Sequence, residues 1–393
     1  MIRRLWKVAF AEWKLMYTDP AAVLLLVVAG VLYAFYYPTP YIHQTVTKVP
    51  VAIVDMDNTA MSRNLIRMAS AAQQIEVKAI YPEMLQAEES MSRDEIYGFM
   101  VIPENMEKDI RNRRQVSVNI FTNGAYVMLH GAIGTAFSTC ALTLGATNKV
   151  KQIAISKKVP SAQAIAMRDP FPISIQTLFN STGGYANYVV PSVLVVILQQ
   201  SLIIGICVLG GSRAHRRFRK KLRDSTVENE TLPYRYFGRS LAYFIHYCSF
   251  ILFYHCIIYN LFDFPRRGEL FPMVIFSIVF LASTINLGMV VSQVFLRRES
   301  SMQLFLYLSI PILFLANFSW PSYLIPSWMA AVSYILPSTF AVPAWLSIEQ
   351  MGGDIYDVAP RLYLLAVQAV VYLVLGLLLT RARDKAKIDV GDM

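Results

Sequence analysis

The sequence predicts an α-helical polytopic membrane protein with an inserted α/β extracytoplasmic domain, and three observations lead there. The 393 residues are 55% hydrophobic and only 16% charged, with a mean hydropathy of +0.43, too apolar for an ordinary soluble domain. The apolar residues are bunched into runs long enough to cross a bilayer core of about 30 Å. A polar block, Tyr41 to Ser181, interrupts these runs with strand-like and helix-like segments in alternation. The formal charge of +10 would suit nucleic acid, but much of it lies beside the apolar runs, and no nucleic-acid-binding signature accompanies it. Cys140, Cys207, Cys248 and Cys256 give no disulfide framework.

Residues 1–18 read as a basic amphipathic helix. Wound as a helix, they place Ile2, Leu5, Ala9, Trp13 and Met16 on one side and Arg3, Lys7 and Lys14 on the other. Such a helix lies on the cytoplasmic membrane surface. Residues 19–40 hold the first span, opened by Pro20. The extracytoplasmic domain, 41–181, starts with a strand from Val49 to Val54, a turn through Asp55, Asp57 and Asn58, and a helix capped at Thr59. A second strand, Ile96 to Ile102, leads through a Pro-Glu helix start to a third, Val116 to Phe121. Tyr126 to Leu144 is nearly apolar enough to cross, yet it carries His130, Thr135, Ser138, Thr139 and Thr143. Counting it as a span would turn the cluster Arg213 to Arg223 outward, against the positive-inside rule, so Tyr126 to Lys151 is expected to cover the strands.

The transmembrane domain, 182–393, supplies five more spans: Tyr185 to Gly210, Ser240 to Phe262, Leu270 to Leu296, Met302 to Phe318, and Leu362 to Leu379. This makes six in all and puts both termini in the cytoplasm, with a cytoplasmic loop at 211–238. Between the last two spans, residues 320–350 are apolar but cut by Pro321, Pro326, Pro337 and Pro343 into pieces too short to cross. Short re-entrant or interfacial helices on the outer side are expected there, because backbone at membrane depth must be buried in protein or line a cavity. His246 and His255 are on opposite faces of the third span and cannot share a metal ion. The sequence has no G-x-x-x-x-G-K-[ST] loop to cradle phosphates, so ATP chemistry would need a partner.

Four stretches carry a family resemblance: VAIVDMDNTAMSRNLIRMA, YGFMVIPENMEKDI, LFNSTGGYANYVVPSVLVVIL and WPSYLIPSWMAAVSYILPSTFAVPAWLSIEQMGGDIYDV. With the order of spans, they make the chain similar to an ABC-2 type permease, the transmembrane subunit of an ATP-binding-cassette exporter. The branch it resembles has a large extracytoplasmic domain between the first and second spans. The chain departs at Asn180-Ser181, Pro191-Ser192 and Trp320-Pro321, where the family often has Asn-Pro, Pro-Gly and Phe-Pro. The Glu-Arg-Gly-Thr type sequence usual after the second span is replaced by SRAHRRFRKKLRDSTVENETLPYRYFGRS.

The resemblance implies two permease chains, as a homodimer or a pair of related chains, working with ATP-binding subunits that hold ATP and Mg; this chain would hold no cofactor. It implies that the segment from Arg213 to Arg235 docks on the ATPase. There Arg217, Arg219, Lys220 and Arg223 could meet acidic residues, and Leu222, Leu232 and Tyr234 could supply apolar anchors. The competing reading has the basic run fix topology and touch anionic membrane lipid. The path would run where the second and fifth spans face the partner chain. Polar Gln199, Gln200 and Asn317 are its candidates, with Phe314, Phe318 and Trp320 as an apolar gate. Hydrogen bonding between packed helices is the alternative for each polar group. The expected cargo is hydrophobic or amphipathic, moved outward across a plasma membrane, expected to be a bacterial inner membrane, with a periplasmic adaptor as a further partner. A non-transporting receptor or scaffold on the same fold is the alternative.

Overall fold

The computed structural model describes residues 2–42, 44–169, 171, 176–180, 183–218, 230–295, 298–320 and 322–391. The chain divides into two compact units: Met1–Gln44 with Thr177–Met393, and Thr45–Gln176.

The smaller unit holds a four-stranded sheet in the order β2-β1-β3-β4. Its strands are β1 (Val49–Asp55), β2 (Ile75–Tyr81), β3 (Gly98–Ile102) and β4 (Asn119–Thr122). β1 runs parallel to β2 and β3, and β4 returns antiparallel to β3. Because side chains alternate along a strand, β1 feeds two cores. Val49, Val51 and Ile53 join Met100, Ile102, Leu65, Ile133 and Phe137 on one face, while Ala52 and Val54 join Ala87, Ile96, Phe99 and Val101 on the other. A strand buried on both faces is expected to be apolar throughout, as VPVAIVD nearly is. The helix Val127–Lys157 presents Ile133, Ala136, Phe137, Cys140 and Leu144 inward. Met100 and Ile102 of β3 share the Val49 face with this helix, so it covers the strands.

Two details differ from the sequence reading. Strand β2 is not among the expected strands, although IEVKAIY alternates in burial along its length. The strand expected at Val116 to Phe121 begins only at Asn119.

The larger unit is helical. We number its helices α1 (Ile2–Thr18), α2 (Pro20–Tyr41), α3 (Tyr185–Phe218), α4 (Leu232–Leu261), α5 (Leu270–Val291), α6 (Arg298–Leu315), α7 (Ser327–Ser333), α8 (Pro337–Glu349) and α9 (Ile355–Gly391). Among the described residues, six helices are long and apolar enough to cross a membrane, including α2, α3, α4, α5 and α9. The sixth by that measure is Val127–Lys157, not α6. Helix α6 is 18 residues long and opens on Arg298 and Glu299. It ends at Leu315, so Asn317 and Phe318, read as the close of the fifth span, lie beyond it.

Helices α7 and α8 meet at 84°. Pro337 starts α8, where its missing N–H removes nothing from the helix. Helix α1 lies along α4, and the approach depends on Gly238, where a Cβ would come within 2.7 Å of Val8. The inward face of α1 is Val8, Ala9, Glu12 and Met16, and Ile2 is exposed. The buried stripe is therefore rotated from the one expected, and it includes a carboxylate.

Candidate functional site

Two groups of polar residues in the helical unit meet α3, one along its first half and one near its far end. The first surrounds the bent pair α7 and α8. Gln199 is fully buried, and its side chain closes on the start of α8: Nε2 donates to Ser338 Oγ at 3.0 Å and Oε1 accepts from Ser338 N. This supplies an acceptor to a helix-start N–H that has no partner within its own helix. Gln200 is half-buried and donates to the Ser309 carbonyl of α6 at 3.3 Å. Asn317, in the left-handed region at φ 60, donates to the Thr339 carbonyl at 3.1 Å. Thr339 Oγ1 lies within reach of two carbonyls, Leu315 at 3.1 Å and Ser333 at 2.6 Å. Tyr188 of α3 donates its hydroxyl to the Phe318 carbonyl.

Three of the predicted path residues, Gln199, Asn317 and Phe318, thus gather around the start of α8, with Gln200 bonded to α6. Each polar one is engaged in a bond between elements. The predicted aromatic gate does not share one environment: Phe318 is buried, while Phe314 and Trp320 are each about half exposed. Asn286 bridges α4 and α9, accepting from Tyr236 at 3.2 Å and donating to the Ala369 carbonyl at 3.0 Å.

On the far side of α8, Glu349 is fully buried. Its Oε1 lies 3.4 Å from His255 Nδ1, and no hydrogen bond from the described residues reaches either carboxylate oxygen. Trp345, one turn earlier, donates to the Tyr259 hydroxyl at 2.8 Å.

The second group lies at the opposite end of α3 and joins α1, α3 and α4. Arg213 reaches both oxygens of Glu12, at 2.6 and 2.8 Å, and the Tyr243 hydroxyl donates to Glu12 at 2.6 Å. Arg239 Nε stands 3.6 Å from the same carboxylate. Burial pushes the Glu12 carboxyl up, but Arg213 and then Arg239, with the Tyr243 hydroxyl, outweigh it and hold the group below the ordinary carboxylate value. Sequence reading passed over Glu12. The available signal was a single acid among four bases in α1, four residues from both Val8 and Met16.

Nearby, His246 Nε2 meets the Leu26 carbonyl at 3.0 Å and Nδ1 meets the Tyr17 hydroxyl at 3.1 Å. A carbonyl only accepts, so the ring proton is on Nε2 and Tyr17 donates to Nδ1. The accepting Leu26 sits in the π-turn Leu24–Val28 of α2, the kind of irregularity that lets an outside group reach a helix carbonyl.

Of the predicted coupling residues, Leu232 and Tyr234 open α4 and are half-buried. The Arg4 guanidinium sits 6.0 Å from the Tyr234 ring centroid, and Lys7 is 4.0 Å from Glu230. Arg219, Lys220, Leu222 and Arg223 lie outside the described residues, as does the side chain of Arg217. The described residues contain no group of three or more His, Cys, Asp or Glu side chains that could hold a metal ion.

In the smaller unit, the turn after β1 is built by carboxylates. Asp55 Oδ1 accepts from the N–H groups of Asp57 and Asn58, and Oδ2 accepts from the Ser62 hydroxyl at 2.8 Å. Asp57 accepts from Thr59 and from the Glu107 N–H, and Glu107 accepts from the Met61 N–H. These acids are consumed by loop and cap bonds, as the turn reading of Asp55 and Asp57 requires.

Compared with known families, residues 22–378 match the one described as ABC-2 family transporter protein. No curated protein matches the chain.

Proposed function

The chain belongs to the ABC-2 family of transporter proteins and is a multi-pass permease component of an ABC transporter; from that premise we propose that it serves an exporter. The cargo is a hydrophobic or amphipathic molecule taken from the cytoplasm or inner leaflet and moved outward. A separate ATP-binding subunit holds ATP and Mg and drives the movement, and this chain holds no cofactor. Two permease chains, identical or related, face each other across the path. The membrane is a bacterial inner membrane, both termini are cytoplasmic, and the Thr45–Gln176 unit stands in the periplasm, where it guides release or docks an adaptor.

The observation that carries the reading is the bent pair α7 and α8, held by Gln199 and Asn317 against the helices read as the second and fifth spans. Bonds of this kind let a non-crossing segment persist at membrane depth, and they let it move as one body with those helices when a partner closes on ATP. Coupling is assigned to Arg217, Arg219, Lys220, Leu222, Arg223, Leu232 and Tyr234.

Purification of the tagged chain from its native host in mild detergent, with the mass of the complex, tests this. One ATP-binding subunit per permease chain is the expected result. A chain that comes out alone, or with only a ligand of the external unit, would instead make it a receptor or scaffold.

A further inference from the structure

The far end of α8 holds an acid that the transport reading leaves unused. Glu349 is the last residue of the helix and is fully buried. Its Oε1 stands 3.4 Å from His255 Nδ1 of α4, and these two atoms, with Glu349 Oε2, are buried without a hydrogen bond among the described residues. His255 lies in the π-turn Tyr254–Ile258, where α4 departs from regular winding. Its side chain keeps 20% exposure against 0% for Glu349. The imidazole, unlike the acid, therefore reaches the surface of the unit, beside the polar loop that joins α4 to α5.

The groups around the pair are otherwise engaged. Tyr259, one turn after His255, accepts from Trp345 at 2.8 Å. In the loop, Arg266 turns to the His255 carbonyl and to Asn260, and the Arg267 guanidinium sits 5.9 Å from the Phe179 ring centroid. Asp263 and Glu269 of the loop are exposed. At the start of α9, Asp354 and Asp357 accept from backbone amides. Residues 185–212 of α3 and the whole of α5, which also pack on α8, carry no charged side chain. Among the described residues, Arg266, Arg267 and Arg361 of α9 form no ion pair with Glu349. The loop is nonetheless fastened at this point. The Arg267 N–H donates to the Glu349 carbonyl at 2.8 Å, and a Cβ at Gly268 would come within 2.8 Å of the Ile348 carbonyl oxygen.

With both groups deprotonated the pair is a buried lone anion, and with both protonated it is a lone cation. One proton between them leaves no net charge, and burial favours that count. A carboxylate at the last residue of a helix also faces the negative end of its dipole, which favours the proton further. The imidazole can load the acid from water. A proton taken at Nε2 gives the imidazolium, and passing the Nδ1 proton to Oε1 leaves a neutral ring and a neutral acid.

We propose that Glu349 and His255 form a proton-binding site, which holds one proton between Oε1 and Nδ1 and fixes the end of α8 to the α4–α5 loop while the proton is there. The site goes beyond the transport reading and depends on neither the cargo nor the ATP-binding subunit. Above the histidine range an unfolded chain holds no proton on either group, so the folded pair binds the extra one and its contribution falls as pH rises. Below the carboxylate range the unfolded chain holds two, and the contribution falls as pH drops. The contact is strongest between these limits.

The test is hydrogen exchange at the Arg267 amide of the purified full-length chain in detergent, corrected for its intrinsic rate, from acid to alkaline pH at constant sodium. Protection is expected to pass through a maximum and to fall on the alkaline side by up to about tenfold per pH unit. Glu349→Gln leaves only the imidazole to titrate and is expected to lose the alkaline fall while keeping the acid one. His255→Gln leaves only the carboxyl and is expected to do the reverse, so either variant that folds is a sufficient test. Glu269→Gln, at an exposed acid nearby, is expected to keep both. Protection that is independent of pH in the native chain, that changes alike in the native chain and a folded Glu349 or His255 variant, or that follows sodium at constant pH overturns the proposal.

Discussion

Glu12 and Glu349 are both buried carboxylates, and their surroundings set opposite expectations. Glu12 is met by Arg213 and the Tyr243 hydroxyl, so removing the acid strands buried cations. Glu12→Ala is expected to lower the stability of the helical unit by about 3–5 kcal/mol, read as a drop in thermal midpoint in detergent. The double change Glu12→Met with Arg213→Met is expected to recover much of that loss, because a matched apolar pair strands less charge. Among the described residues, Glu349 meets His255 at ion-pair distance and no hydrogen bond reaches its carboxyl oxygens. Glu349→Gln is expected to keep or raise the midpoint, while His255→Ala lowers it by removing the imidazole that faces the buried acid. The reverse order would mean that Glu349 is stabilised by something other than His255.

Glu107 of the smaller unit links charge to order in a different way. Its carboxyl is held below the ordinary carboxylate value first by the hydrogen bond from the Met61 N–H and further by Thr59 and Arg111. A folded value below the unfolded one adds stability above the unfolded value and loses it as pH falls through the folded one. Hydrogen exchange at the Met61 amide of the full chain, corrected for its intrinsic rate, is therefore expected to rise over that acidic window. Glu107→Gln should flatten the dependence.

Among the elements, the long helices and β1 could be read from sequence because each carries a dense, uniform signal. Helix α5 is apolar nearly throughout, and β1 is buried along almost its whole length. Strand β2 was missed because Glu76 and Lys78, on its exposed side, dilute a short pattern that a preceding helix can absorb. The bend at α7 and α8 was legible because proline leaves few alternatives. What sequence could not give was the partner of each polar side chain. Gln199 meets Ser338 across 139 positions, and no local period encodes such a distance. Gln199→Leu is expected to free the start of α8 and lower stability by about 1–3 kcal/mol, with faster exchange confined to the residues after Pro337. Uniform exchange across the unit would show that the bond does not hold that helix in particular.

For the whole molecule, the family and the helical class with its α/β insert followed from hydropathy and four stretches of sequence. The buried ion cluster did not, because its members are drawn from helices that sequence treats separately. The assembled transporter offers the broadest test. Replacing Arg217, Arg219, Lys220 and Arg223 by Glu is expected to release the ATP-binding subunit while the permease stays folded, measured by co-purification and thermal midpoint. Unchanged assembly and ATP hydrolysis would remove these residues from the coupling role. Deleting 45–176 is expected to leave that assembly intact and abolish export.

The division of the helical unit into Met1–Gln44 and Thr177–Met393 also bears on biosynthesis. Glu12 leaves the ribosome 201 residues before Arg213, an interval of about 10–40 s at ordinary rates of elongation. Until then the acid has no basic partner on α3, and its helix has its own exposed Ile2, Trp6, Phe10 and Tyr17 and its basic residues to meet its surroundings. The Thr45–Gln176 unit is made within that pause, so it can finish folding before the bundle that flanks it closes. A nascent chain stalled before Arg213 should therefore still offer Glu12 to solvent, while β1 and β3 are already paired.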